Sequence, residues 1–340
     1  MTPQEQNELM RKLLIQNSPK IMVKLPTVTG VMGGTTRVKL NNTGLITRLF
    51  ADITIPFTNS VNPTSIRQKS VFAAVPKIQL FDFDGSTRVN TSAYLLSVLN
   101  AMRGRGEFAG MAQQLGQSGL VASAGSQVNA FRGPEITVTA TQIRFVLEIP
   151  VAADTMKGDL RGMLAAQFVS GDLQLAFDFA SVLNGTLNDD FVFGAGTLVN
   201  GAPTVTVYQE YYLPQKIQGV TAIPQMDIAT VYELGVYGRT TDNIVSGVEK
   251  LLNFPVVRVV NSVCVDYLNN SLLGGGTAAA DIQNFVVYAN GNNKLYEANQ
   301  YLQSQLQRNQ LGSDLPQGTY MLDFAGGPIK IGRASCRERV

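Results

Sequence analysis

Histidine and tryptophan are missing from all 340 residues, cysteine occurs only twice, and charged residues amount to 15 %. Without histidine there is no Ser-His-Asp relay, no His-bearing zinc site and no imidazole proton shuttle. Two cysteines supply neither a disulfide framework nor a four-thiolate metal knot. The 27 Lys and Arg nearly balance the 25 Asp and Glu, for a net charge of +2, which excludes the strongly basic surface of a nucleic-acid-binding domain. No stretch reaches the roughly 18 to 20 consecutive apolar residues that span a bilayer, and the N-terminus lacks the apolar core of a signal peptide. Soluble domains are ordinarily about one quarter charged. The shortfall here implies a surface given over largely to contacts with other protein.

Apolar residues make up 45 % of the chain, and glycine (32) and proline (14) punctuate them. Thr2-Pro3-Gln4-Glu5 reads as a capping box with proline in the first helical turn. Leu9, Met10, Leu13 and Leu14 follow at helical spacing as far as Ser18-Pro19, predicting a short amphipathic helix or arm over residues 1–19. So short a helix is unstable alone in water, and its apolar stripe must rest on something.

From Lys20 onward the pattern changes to β-branched runs between Gly, Pro, Asn and Thr. Leu45 to Phe57, Val71 to Phe83, Glu135 to Val151, Leu173 to Phe179 and Thr204 to Tyr212 read as strands. Ile143, Phe145, Leu147 and Ile149 alternate with Arg144 and Glu148; Leu173, Leu175, Phe177 and Phe179 alternate with Gln174 and Asp178. A period of two with one polar face means antiparallel, half-buried strands. Parallel units would need a helix after nearly every strand, and the sequence has too few. Two helical insertions are predicted: one stripe of Tyr94, Leu95, Val98, Leu99 and Met102, and a Gln-rich segment from Leu295 through Tyr296, Ala298 and Gln300 to Leu306. Gln113 to Val128 reads as a long loop or tower.

Pro214 and the Gln215 to Pro224 stretch divide the strands into two sets, and Val256 to Tyr267 is the strongest strand of the second. The expected fold is mainly β: two tandem antiparallel jelly-roll sandwiches with short inserted helices, over residues 20–214 and 215–330. The final ten residues, Ile331 to Val340, carry four charges and resemble the translation of a sequencing-adapter oligonucleotide, so residues 331–340 are set aside as an artefact tail and the second jelly roll is expected to be C-terminally truncated. Setting them aside removes three of the 27 basic and one of the 25 acidic residues, leaving 24 of each. Cys264, between Val263 and Val265, is then the single cysteine and reads as a small buried apolar side chain.

Thr204 to Leu213 (TVTVYQEYYL), followed by a turn and Ile223 to Leu234 (IPQMDIATVYEL), resembles the end of the first jelly roll and the start of the second in tectivirus major capsid proteins. Asp314 to Tyr320 with Gly327-Pro328-Ile329, and Leu147 to Val151 with Asp159 to Gly162 and Leu173 to Ala180, are similar to further segments of that family. The resemblance implies a double jelly-roll subunit that forms homotrimeric, pseudo-hexagonal capsomers of an icosahedral virion. It implies capsomer–capsomer contacts, penton and minor capsid proteins and an internal lipid membrane as partners, no specific nucleic acid, and a passage through the host cytoplasm during assembly.

One string competes with a structural role. Leu80 to Thr87 (LFDFDGST) looks like the first motif of haloacid-dehalogenase-type phosphatases, in which an Asp nucleophile and a second Asp two residues on work with Mg²⁺. Asp82 and Asp84 would take those roles, with Asp189-Asp190 as the later acidic pair and Lys157 as the phosphate-binding lysine. Such phosphatases are built on a parallel sheet with alternating helices, whereas the flanking sequence here is antiparallel β, so the string is read first as a strand ending in an Asp-Gly turn. Gly104-Arg105-Gly106 with Gly110 fails the dinucleotide spacing, and Gly274 to Thr277 lacks the lysine of a phosphate loop. A carbohydrate- or receptor-binding sandwich is the remaining alternative, since the architecture alone does not fix function. No catalytic, metal or cofactor residue is assigned; the expectation is a non-enzymatic, cofactor-free protein.

Overall fold

A computed structural model describes residues 5, 9, 18–65, 67, 69–103, 138–152, 162–166, 171–185, 191–214, 216–217, 220–221, 234–235, 262–266, 268–269, 272–273, 282, 284–289, 293–311 and 318–323. The first jelly roll opens with β1 (Lys20–Lys24), β2 (Val28–Thr29), β3 (Thr35–Lys39) and the long β4 (Leu45–Val61). A single 3₁₀ turn at Ser70–Ala74 leads to β5 (Lys77–Phe81), β6 (Thr87–Thr91) and helix α1 (Ala93–Arg103). It closes with β7 (Gln142–Pro150), β8 (Leu164–Ala165), β9 (Gln174–Asp178), β10 (Thr197–Asn200) and β11 (Thr204–Tyr212).

These strands form two facing sheets. One runs β1–β11–β4–β7, with β2 beside β11 and with β10 and β8 extending the two flanks of β4. The other runs β3–β9–β5–β6. Every pairing among these strands is antiparallel, and the order is that of an eight-stranded jelly roll. The alternation seen in the sequence does the sorting: Leu49, Ala51, Ile53, Ile55 and Phe57 of β4 point inward and are buried, as are Ile143, Phe145, Leu147 and Ile149 of β7 and Leu175 and Phe177 of β9. Phe57–Phe193 and Phe72–Phe145 add edge-on ring contacts across the sandwich, at 5.4 and 5.3 Å between centroids. At the edge, β1 carries Lys20 and Lys24 at its two ends, which blunts it against pairing with another strand.

The second set begins with the small hairpin β12 (Lys216–Ile217) and β13 (Val220–Thr221); β14 (Leu234–Gly235) then adds to the first jelly roll, parallel to β6. β15 (Ser262–Asp266), β16 (Leu268–Asn269) and β17 (Leu272–Leu273) follow. A hairpin of β18 (Asn284–Ala289) and β19 (Asn293–Asn299), helix α2 (Gln300–Leu311) and β20 (Thr319–Asp323) complete it. β15 pairs with β20, β16 with β17 and β18 with β19, each antiparallel. Val263, Val265, Tyr320 and Leu322 on one side and Phe285, Val287 and Tyr296 on the other enclose a smaller core. The opposite face of β15–β20 turns to the first jelly roll: Met321 belongs to the main core cluster and Cys264 packs against it.

The structure corrects three readings. Val71 to Ala74 belongs to the 3₁₀ turn, so that strand starts only at Lys77. Residues 138–141 form a turn and a bend before β7, because a side chain takes up the backbone there: Asn59 Nδ2 on β4 donates to the carbonyls of Val138 and Ala140. Leu295 to Ala298 is strand rather than helix, and α2 starts at Gln300 once Asn299 has capped it. The tower segment Gln113 to Val128 and the string from Gly104 to Gly110 lie outside the described residues, as do Gly274 to Thr277 and the tail 331–340. Of the N-terminal arm only Glu5, Leu9, Ser18 and Pro19 are described, and Glu5 and Leu9 are helical.

Candidate functional site

Asp82 and Asp84 sit in the turn between β5 and β6, two antiparallel strands. The turn closes through Asp82 N donating to the Ser86 carbonyl at 2.8 Å and Gly85 N donating to the Asp82 carbonyl at 2.9 Å. Gly85 occupies the left-handed region at φ 81°, which is why a glycine stands there. Asp84 Oδ1 accepts the Ser86 N–H at 2.9 Å, and its hydrogen bonds to Ser86 hold the carboxyl below its ordinary pKa. Asp82 is spent on structure. Its Oδ2 pairs with Arg88 Nε at 2.5 Å, and Arg88 also donates to the Gly162 carbonyl, tying the turn to the segment after β7.

A phosphatase of the suspected type needs a parallel sheet with its acid pair at the strand ends and a metal-binding carboxylate cluster beside it. Here β5, which leads into the turn, is antiparallel to both its neighbours, β6 and β9, and among the described residues no group of three or more ligating side chains could hold a metal. That reading is overturned by the fold. Asp189, Asp190 and Lys157 lie outside the described residues.

The best-organised electrostatics lie on the outer face of the first sheet. Glu210 on β11 receives Arg48 of β4 in a two-pronged pair, Nε to Oε1 at 2.9 Å and Nη2 to Oε2 at 2.7 Å. Lys20 of β1 reaches Glu210 Oε1 at 3.1 Å, Thr47 donates to the same oxygen at 3.0 Å, and Glu148 of β7 lies 3.8 Å from Arg48. The row thus crosses all four strands. Burial pushes the Glu210 carboxyl up, but Arg48 and Lys20 more than offset this and it titrates below its ordinary value. Arg48 is raised, chiefly by its hydrogen bond to Glu210. Further along the same face Arg144 of β7 grips Asp52 of β4, at 3.1 and 2.8 Å. The charges of the Glu210 row and of the Asp52–Arg144 pair balance within the chain.

The structure also exposes a repeat. Adding 207 to each number carries β5, β6 and α1 onto β18, β19 and α2. Ile78↔Thr91, Gln79↔Asn90 and Leu80↔Val89 become Phe285↔Ala298, Val286↔Glu297 and Val287↔Tyr296, and the register shifts in the same place, after Leu80 and after Val287. Ser92 accepts the Leu95 N–H as the cap of α1; Asn299, its counterpart, accepts the Leu302 N–H as the cap of α2. The helices then align as AYLLSVLN and QYLQSQLQ, matching Tyr94 with Tyr301, Leu95 with Leu302, Ser97 with Ser304 and Leu99 with Leu306. The turn is the part not repeated: Ala289 and Leu295 stand opposite Asp82 and Arg88, so the Asp-Arg pair belongs to one copy alone. The shared Tyr-Leu-x-Ser-x-Leu string is the sequence signal for this repeat, diluted by glutamine in the second copy.

The two helices meet different surroundings. Tyr94 is 1 % exposed, and its hydroxyl pairs with Thr319 Oγ1 of β20 at 2.7 Å; Thr319 in turn donates to Asp266 of β15 at 3.0 Å. Buried Gln303 and Gln307 of α2 cover the edge of β20 turned away from β15: Gln303 Nε2 donates to the Met321 carbonyl at 2.7 Å, and Met321 N donates to Gln307 Oε1 at 3.2 Å. These glutamines act as a substitute strand. The other face of α2 is bare, with Tyr301 77 % and Leu302 48 % exposed.

No family model matches this sequence, and no curated protein matches it in sequence. Solved structures do match it in fold. The fold defines a class, the double jelly-roll proteins, in which two such sandwiches follow one another in a single chain. Within it the chain is similar to the crystal structure of the STIV MCP, with TM-score 0.60 and 10 % identity over 90 % of this chain and 85 % of that one. The "atomic structure of Sulfolobus Turreted Icosahedral Virus" gives TM-score 0.59 and 13 % identity, covering 90 % and 79 %. The PBCV-1 virus capsid gives TM-score 0.54 and 12 % identity, covering 91 % and 79 %. At such identities the likeness is one of fold.

Proposed function

We propose that this protein is the major capsid protein of an icosahedral virus, a structural subunit whose work is to bind copies of itself. The observation that carries the reading is the double jelly-roll fold shared over nine-tenths of the chain with viral capsid proteins. The internal repeat supports it, because a chain with two like lobes lets three copies approximate a hexagon. Near-neutral charge supports it too, since like subunits then approach without repulsion. No observation favours the phosphatase or the carbohydrate- or receptor-binding sandwich over this role.

The finer reading is a homotrimeric capsomer that packs against further capsomers, with penton and minor capsid proteins at the shell's special positions and a lipid membrane beneath. The protein resides in the virion after assembly in the host cytoplasm. An arm over 1–19, a first jelly roll over 20–214 and a second over 215–330 form its parts, and the arm serves shell assembly rather than trimer folding. Negative-stain electron microscopy of the purified protein tests this: six-lobed particles are expected, and solitary two-lobed particles at micromolar concentration overturn it. Deleting Met1 to Ser18 should leave the six-lobed particles intact while impairing shell formation; loss of the particles themselves would place the arm in the subunit core.

A further inference from the structure

The repeat turns a contact inside the chain into a template for a contact between chains. Within the chain, α1 of the first lobe is covered by the second lobe: Tyr94 is buried and hydrogen-bonds Thr319, on the face of β15–β20 that turns away from the second lobe's own core. The same face carries Met321 and Cys264, both packed against the first lobe's core. β15 and β20 pair antiparallel and face β18–β19 across their core, as β4 and β7 pair and face β5–β6 across theirs. The first lobe therefore owns an equivalent outer face, on β4–β7. In each lobe that face carries an aspartate bonded across to the neighbouring strand, Asp266 to Thr319 in one and Asp52 to Arg144 in the other.

That outer face is open where the template would use it. Val146 is 44 % exposed beside the Asp52–Arg144 pair, and α2 presents Tyr301 and Leu302, the counterparts of Tyr94 and Leu95, to solvent. One lobe's helix has its seat within the chain; the other lobe's helix has the same leading residues and no such seat within the described residues. A contact between two different patches of the same chain is heterologous, and it closes into a ring when its rotation fits.

We propose that the exposed face of α2, led by Tyr301 and Leu302, docks on the outer face of β4–β7 of a second copy of this chain, around Asp52, Arg144 and Val146. The proposal rests on the self-association proposed above and adds which surfaces meet. Tyr301 takes the place at this junction that Tyr94 holds at the internal one.

The test is a cysteine pair, Tyr301→Cys with Val146→Cys, in the full chain, oxidised mildly and run on a non-reducing gel beside the unsubstituted protein. A control pairs Tyr301→Cys with Val182→Cys, on an exposed loop away from β4–β7. Covalent ladders specific to the 301/146 pair are expected. Light scattering runs in parallel to separate the two readings. An oligomer that does not cross-link through 301/146 overturns this junction while leaving self-association standing; a monomer overturns both. Because Tyr301 is exposed within the chain, Tyr301→Ala should leave the monomer folded by circular dichroism and raise the dissociation constant of the assembly at least about tenfold. An unchanged constant overturns the proposal.

Discussion

The two lobes use one device, a hairpin followed at once by a capped helix, with identical register and very different side chains. What is preserved is backbone logic: the three paired positions, the shift after Leu80 and Val287, and a capping side chain at Ser92 and Asn299. What differs follows from what each helix touches. α1 lies in the seam between lobes and is apolar nearly all round, with Leu96 and Val98 fully buried. α2 has Gln303 and Gln305 at those places: Gln303 bonds to the edge of β20, and Gln305 faces water. Composition reports the neighbour, while register and cap report the unit.

Breaking the ion-pair row, which crosses the first lobe's sheet, should have the largest effect. Arg48→Ala leaves Glu210 buried without its main partner and should cost about 3–5 kcal/mol, read as a lower urea midpoint, whereas the double change Arg48→Met with Glu210→Leu should come close to neutral. The same row predicts a pH dependence. Glu210 titrates lower in the folded chain than in the unfolded one, so its contribution is full above the ordinary carboxylate pKa and is lost as pH falls through the folded value. Glu210→Gln should flatten that acid limb.

Gln307→Leu comes next. It strips the Met321 N–H of its acceptor and should cost about 1–3 kcal/mol in thermal or urea unfolding. Leu96→Gln, which imports the second helix's residue into the first, should cost at least as much, because no strand edge awaits it there. The smallest changes sharpen the equivalence itself. Ser92→Ala and Asn299→Ala should each cost about 1 kcal/mol, and a large gap between them would show that the two caps are not the same feature.

Much of the first lobe was legible from alternation alone, because a half-buried antiparallel strand writes its two faces into alternate residues. Ile143 to Ile149 and Leu173 to Phe179 point where their pattern says. The Val71 to Phe83 reading merged a buried 3₁₀ turn with a strand, since a short apolar run looks alike in either. The Leu295 to Ala298 reading failed because Leu295, Tyr296 and Ala298 run without a Gly or Pro break into the Gln-rich α2, and only the Asn299 cap marks the change. LFDFDGST was the sharpest false signal. Its aspartates serve a turn and a pair with Arg88, and nothing local in the string distinguishes that from catalysis. The Glu210–Arg48 row was invisible for the opposite reason: its members lie 162 positions apart and meet only through the order of the strands.

The central claim is that two like lobes exist so that copies of the chain can close a ring. Light scattering coupled to size exclusion measures it most directly. The account predicts a stable species of three times the 36.7 kDa chain mass at micromolar concentration, reduced to the chain mass by Tyr301→Glu. A folded protein that stays at the single-chain mass across that range would contradict it.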